Sequence, residues 1–452
     1  MPQSPLSLLP HAPPEIPGPL STAALQRLAT VESPNVTAIS PEFPIVWQQA
    51  KGATVTDIDG NHYIDATSAF GVALIGHGNP QVVRAVRRQA ATLLHAMGDV
   101  HPPRVRIELL ERLAQLAPAG LGYGVLCTGG SEAIEVATKS ALLFTGKPGI
   151  VAFTGAYHGL GHGALDLTSR RDFREPFWAQ LAHNTLWVPF PNASHPPVAV
   201  ASNRVVEHVL ARVHDAICHP SAGGPPVGAV LIEPIQGRAG AIVPPAGFLR
   251  QLRLLCSQLG VLLIADEIMT GLGRTGAMWA CDHEGVVPDL LCVGKALGGG
   301  MPIAACLGSA EVMAAWGPSR GEALHTSTFL GNPVACAAAV AALNVIESTG
   351  VAHKAQIQGR QWLALLHRRL AKHPAVAQIR GKGLMLAVEF QAYAGKSPRQ
   401  LAWQVTVGAL RRGVVVLPAG ANGEVVQLTP PVVVSKSQRV AVVDALCAAL
   451  DD

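Results

Sequence analysis

Between residues 123 and 307, short, mainly apolar runs alternate with longer stretches in which apolar residues recur at helical spacing. The apolar runs are Val125-Leu126-Cys127, Gly149-Ile150-Val151-Ala152-Phe153, residues 227–232, Val261-Leu262-Leu263-Ile264-Ala265 and residues 289–294. Each is too short for a helix and lacks the polar alternation of a half-exposed strand, so each reads as a strand buried on both faces. Residues 132–144 and 248–259 carry the helical pattern. The alternation predicts an α/β fold, a mostly parallel sheet with helices on both faces.

The flanks read differently. Residues 53–58 and 62–65 alternate around Asp59-Gly60-Asn61, which predicts a hairpin. Helices are expected over 80–94 and 103–116, the second with proline in its first turn and Pro118 past its end. Asn332-Pro333 reads as an N-cap before a long Ala-rich helix, and Ser397-Pro398-Arg399-Gln400 and Ser435-Lys436-Ser437-Gln438 read as capping boxes. The expected organisation is a Pro/Ser-rich N-terminal arm over 1–35, an N-terminal part of a small domain over 36–100, a large domain over 101–350, and the C-terminal part of the small α+β domain over 351–452.

Composition narrows the function classes. The chain has 452 residues, 49% hydrophobic and 14% charged, which excludes a disordered polymer. A net charge of +4 without a repeated Lys/Arg face gives no reason to expect nucleic acid or an acidic membrane as partner. No apolar run approaches the roughly 20 residues of a membrane span, and residues 1–19 lack a secretory pattern. The 8 cysteines are scattered, with no Cys-x-x-Cys and no histidine at zinc spacing, so buried free thiols, no metal centre and a reducing, cytoplasmic location are expected.

Candidate chemistry gathers where the apolar runs end. Asp266-Glu267 closes one run, and Lys295 follows another, ahead of Gly298-Gly299-Gly300. Open α/β sheets present the carboxyl ends of their strands to one crevice, so Asp266 and Lys295 are expected to share it. A desolvated lysine can form a Schiff base with a carbonyl, and a carboxylate beside a pyridine nitrogen makes that ring an electron sink, the pairing used with pyridoxal phosphate. Thr128-Gly129-Gly130-Ser131, between strand and helix, reads either as an anion site or as a tight turn with Ser131 as N-cap. It lacks the signatures of nucleotide and dinucleotide loops. Tyr157 could stack on a planar cofactor or belong to the core, and Arg170, Arg171 and Arg174 could meet an acid or form a solvated face.

Taken together, residues 36–450 resemble the class III (omega) aminotransferases of pyridoxal phosphate fold type I. The resemblance is carried by residues 266–276 (Asp-Glu-Ile-Met-Thr-Gly-Leu-Gly-Arg-Thr-Gly), 294–302 (Gly-Lys-Ala-Leu-Gly-Gly-Gly-Met-Pro), 128–133, Tyr157-His158-Gly159, 233–237 (Glu-Pro-Ile-Gln-Gly) and 327–333. It implies that Lys295 is the Schiff-base lysine and Asp266 the partner of the pyridinium nitrogen. Ile268 and Tyr157 would flank the ring, Gly130 and Ser131 would hold the phosphate, and His158, Glu233 and Met269 would complete the surroundings. Thr328 would reach the phosphate of a neighbouring subunit, which implies a homodimer, and Phe70 would line the substrate pocket. Three positions depart from the pattern: Met269 replaces a glutamine, Arg238 a glutamate, and Gln427 the arginine that clamps a substrate carboxylate.

The function expected from the resemblance is transfer of an amino group from an amine or amino acid to a 2-oxo acid. A racemase or epimerase on the same site is the nearest alternative, since the Glu/Arg pair is lost. Decarboxylation coupled to transamination and a non-catalytic binding protein remain further alternatives.

Overall fold

The computed structural model describes residues 16–196, 200–220 and 224–452, in two units. The larger unit is Pro80–Gln356; the other combines the chain up to Asn79 with Ile357–Asp452.

A seven-stranded sheet forms the middle of the larger unit. Its order is Tyr123–Cys127, Ala304–Gly308, Leu290–Val293, Leu262–Asp266, Val227–Ile232, Gly149–Phe153 and Thr185–Val188. Only Ala304–Gly308 runs antiparallel to its neighbours; the remaining pairs are parallel. Alternate residues of one strand serve opposite layers, as the two-residue period requires. Val151, Phe153, Val230, Ile232, Leu263 and Ala265 pack on the layer holding helices Val205–Cys218 and Phe248–Leu259. Ile150, Ala152, Ala229, Leu231, Leu262 and Ile264 pack on the layer holding helix Gly130–Thr145. This is why the runs read as apolar at every position.

Helix Pro80–Thr92, assigned by the sequence reading to the smaller domain, falls in the larger unit. Its Val82 packs around Gly299, where a side chain would also meet Ala342 of helix Pro333–Ser348.

The other unit is α+β. One sheet holds the hairpin Thr54–Asp57 and His62–Asp65 with Trp47–Lys51 and Val414–Val415, and a second runs Val376–Lys382, Met385–Phe390, Val425–Leu428, Leu417–Ala419. Both capping boxes form: Ser397 Oγ accepts from Gln400 N, and Ser435 Oγ accepts from Gln438 N. The arm expected over 1–35 is corrected from residue 19 onward; its first 15 residues lie outside those described. Pro19–Leu28 is a helix whose first amides, Leu20 N and Ser21 N, donate to Asp59 at 2.7 and 2.9 Å. Proline in that first turn lacks only a donor that no helix could use. No single helix among the described residues is long and apolar enough to cross a membrane.

Candidate active site

Five strands deliver the candidate residues, each at or just beyond its carboxyl end: Ser131, Tyr157-His158, Glu233, Asp266 and Lys295. Asp266 is the last residue of its strand and pairs in register with Cys292 of the parallel neighbour, three positions before Lys295. Pleat and register thus bring the acid and the amine to one edge of the sheet.

Asp266 is buried and oriented from two sides. Its Oδ2 lies 2.7 Å from His158 Nδ1, and its Oδ1 accepts the Ile268 amide at 3.0 Å. His158 is itself fixed, since its amide donates to Thr168 Oγ1, which donates in turn to the Gly159 carbonyl. The other ring nitrogen of His158, Nε2, is buried with no partner.

Lys295 sits in the left-handed region, φ 43°, a conformation costing a non-glycine residue of order 1 kcal/mol. Burial draws its pKa below the usual 10.5, Asp266 and Glu233 oppose that shift, and Arg238 and Arg274 reinforce it. A fraction of free amine is therefore available at lower pH than on a solvated lysine.

Glu233 is turned toward backbone. It accepts Tyr157 N at 3.0 Å and Gly237 N at 2.7 Å, tying the Tyr157 loop to the segment that carries Arg238. Burial raises its pKa, and Asp266 adds to the rise against an opposing effect of His158. Met269 sulfur packs so closely on Gly237 that a Cβ there would lie 2.4 Å from it.

The Gly129-Gly130-Ser131 turn is not capped by Ser131. The N-cap is Gly129, no side chain caps the helix, and the first-turn amides stay open to an anion. Ser131 Oγ instead accepts Gly161 N at 3.0 Å, and a Cβ on Gly159 would fall 2.7 Å from Ser131 Cβ. Ile268 is wedged nearby, its Cδ1 2.8 Å from where a Cβ on Gly130 would stand. Ser131, Gly161, Thr328 and Phe329 share the wall of a recess of about 560 Å³. Thr328, expected at a neighbour's phosphate, thus already lies near Ser131 of its own chain.

Arg238 carries its guanidinium carbon 5.1 Å from the centre of the Tyr157 ring. Phe70 and Gln427 belong to the other unit, where the residues around them are tied together. Ser68, Ala69 and Phe70 all have positive φ (49°, 46° and 61°), and Asp65 accepts Thr67 N, Thr67 Oγ1 and Ala69 N. Ser68 Oγ donates to the Thr429 carbonyl, two residues beyond Gln427, and Phe70 remains exposed.

Two participants escaped the sequence reading. Arg274 is fully buried and acts on Lys295; its signal was a lone charge inside Gly271-Leu272-Gly273-Arg274-Thr275-Gly276. Thr168, ten residues from His158, gives no such signal. Glu267 turns away from the site, accepting Thr270 Oγ1 and Cys281 N. Six cysteines are buried as expected, but Cys218 is exposed, and its sulfur lies 3.7 Å from His214 Nε2 at a helix end apart from this site.

The profile of the family "Aminotransferase class-III" matches residues 36–450. The chain belongs to the class III aminotransferases. It is 36% identical over 448 residues to a 4-aminobutyrate aminotransferase of Mycobacterium leprae, covering 97% of both chains. Its fold is shared with an omega transaminase of Pseudomonas jessenii solved in complex with PMP: TM-score 0.87, 26% identity, 94% of this chain and 97% of that one. An ornithine aminotransferase of Toxoplasma gondii ME49 matches with TM-score 0.81 and 29% identity, over 95% of this chain and 94% of the other. This class III aminotransferase is therefore an enzyme of amino-group transfer with the fold type I architecture, and pyridoxal 5'-phosphate is its cofactor. These matches favour amino transfer over the racemase and over a non-catalytic binding protein. The residues fit the cofactor: a buried carboxylate for a ring cation, a His158 Nε2 with no hydrogen-bond partner among the described residues, and an uncapped helix start at Gly129-Gly130 for a phosphate.

Proposed function

We propose that the enzyme moves an amino group from a primary amine or amino acid to a 2-oxo acid, with Lys295 and Asp266 as its catalytic pair. The observation that carries this reading is the register of the two parallel strands, which sets Asp266 beside Cys292 and Lys295 just beyond. When bound, the cofactor supplies an aldehyde and an electron-accepting ring. Lys295 would hold the cofactor, and its freed Nζ would move a proton at the substrate carbon. Asp266, oriented by His158, would face the ring nitrogen. Tyr157 and Ile268 would bound the ring; Gly130, Ser131 and Thr328 would take the phosphate. Glu233 acts as a positioning residue through the amides of Tyr157 and Gly237, and Met269 closes the wall on Gly237. Phe70 and Gln427 serve the substrate. The test is the visible absorbance of the loaded protein mixed with an amine donor and no oxo acid: the spectrum should shift once, and added 2-oxoglutarate or pyruvate should restore it. A spectrum indifferent to donors, or inversion of an amino acid without an acceptor, would overturn the reading.

The working unit is a homodimer with Thr328 at the shared boundary, in the cytoplasm. Exposed Leu94, Met97, Val100 and Phe329 support it, because they form one apolar surface stitched by His95 against Phe329 and by Asn332 Nδ2 donating to the Leu94 carbonyl. Phe329 also lines the recess that holds Ser131, so the same surface adjoins the phosphate site.

A further inference from the structure

One charged side chain in the larger unit is held in place without an ionic partner. Arg238 lies on a tight hairpin closed by Gln236 N to the Ile242 carbonyl (3.1 Å), Ile242 N to the Gln236 carbonyl (3.0 Å) and Gly240 N to the Gly237 carbonyl (2.9 Å). The hairpin is anchored at its base, where Gln236 Nε2 donates to the Thr154 carbonyl and Gly237 N donates to Glu233. Among the described residues the Arg238 guanidinium has no hydrogen bond and no salt bridge, only the face of Tyr157 at 5.1 Å. Asp172, the acid acting on it from nearby, is already engaged: both its oxygens are taken by Arg170, whose guanidinium carbon lies 4.5 Å from the Phe173 ring. Phe173 in turn stands edge-on to Tyr157 at 6.1 Å. The result is two guanidinium groups on one aromatic pair, of which Arg170 holds the Asp172 carboxylate and Arg238 holds none.

A half-buried guanidinium left unpaired is costly, and a contact with an aromatic face offsets only part of that cost. An incoming carboxylate would offset the rest with up to two parallel N–H···O bonds. Glu233, which accepts the amides of Tyr157 and Gly237, follows Ile232, the register partner of Ala265, so Arg238 leaves the backbone at the same edge of the sheet as Asp266 and Lys295.

We infer that Arg238 is the anchor for the substrate carboxylate, which makes carboxylate-bearing amino donors and oxo acids, rather than plain amines, the substrates this site is built for. The inference rests on the assignment of Lys295 and Asp266 above.

The two half-reactions of the cofactor-loaded, full-length protein test it. R238A should raise the half-saturating concentration of 2-oxoglutarate by about tenfold or more, and weaken binding of succinate, an unreactive dicarboxylate, by the same factor. R238K, which keeps the charge but loses the fork, should fall between the two. The absorbance of the bound cofactor and the half-saturating concentration of butylamine should stay within about twofold, as expected of a residue that meets only the carboxylate. Unchanged 2-oxoglutarate and succinate binding in R238A, or equal weakening of butylamine, would overturn the inference. If the wild type bound succinate through Arg238 yet transferred no amino group, the transamination reading would fall and the carboxylate anchor would stand.

Discussion

Lys295 and Asp266 face opposite demands. In the proposed reaction the lysine must shed its proton beside a carboxylate that is itself buried. Burial lowers the Lys295 pKa, so the folded protein binds fewer protons than the unfolded chain between that lowered value and the usual 10.5. In the cofactor-free protein, stability should therefore rise with pH across that window, and Lys295→Met should flatten the rise; chemical denaturation at stepped pH measures both. Cofactor uptake by the same protein should level off below pH 10.5, and a plateau only above it would contradict the lowered pKa. Asp266 owes its orientation to His158, so Asp266→Asn should keep the covalently held cofactor but reduce turnover about 10²- to 10⁴-fold. Single-turnover absorbance separates attachment from chemistry.

At the scale of elements, glycines and caps decide whether the site closes. Gly159 has φ 128° and leaves no room for a Cβ against Ser131. Gly159→Ala should lower the affinity for the cofactor and for inorganic phosphate, together with a stability loss of about 1–3 kcal/mol, read by thermal unfolding. In the other unit, Asp65 satisfies Thr67 and Ala69 amides and pairs with His77 Nε2 at 2.8 Å. Asp65→Ala should cost about 3 kcal/mol through unsatisfied buried donors, visible as a lower unfolding midpoint. These elements also show what a sequence conveys. Val227–Ile232 and Leu262–Asp266 were legible because burial on both faces leaves them apolar up to Asp266, the last residue of the second. The capping boxes at Ser397 and Ser435 were legible because their bonds are local. The Glu233 clamp on Tyr157 N spans 76 residues, and Arg238 over Tyr157 spans a similar gap; no periodicity encodes either. Of the two readings of the Gly130-Ser131 turn, Ser131 as N-cap falls away because glycine can open a helix by conformation alone, leaving the serine hydroxyl for Gly161. The Pro19–Leu28 helix was hidden in a Pro-rich stretch because its anchor, Asp59, lies on a distant turn.

At the scale of the molecule, the proposed homodimer would cover the exposed apolar side chains of Leu94, Met97 and Phe329. Sedimentation should give twice the chain mass of 47.1 kDa, and Met97→Asp should shift the protein toward monomer with loss of activity. Full activity in a monomeric Met97→Asp protein would remove Thr328 from any shared site. The central claim, though, is covalent. Borohydride reduction of the cofactor-loaded protein, digestion and mass spectrometry should find the cofactor's mass on the peptide bearing Lys295 and on no other lysine; a label on a different lysine, or none at all, would contradict the account.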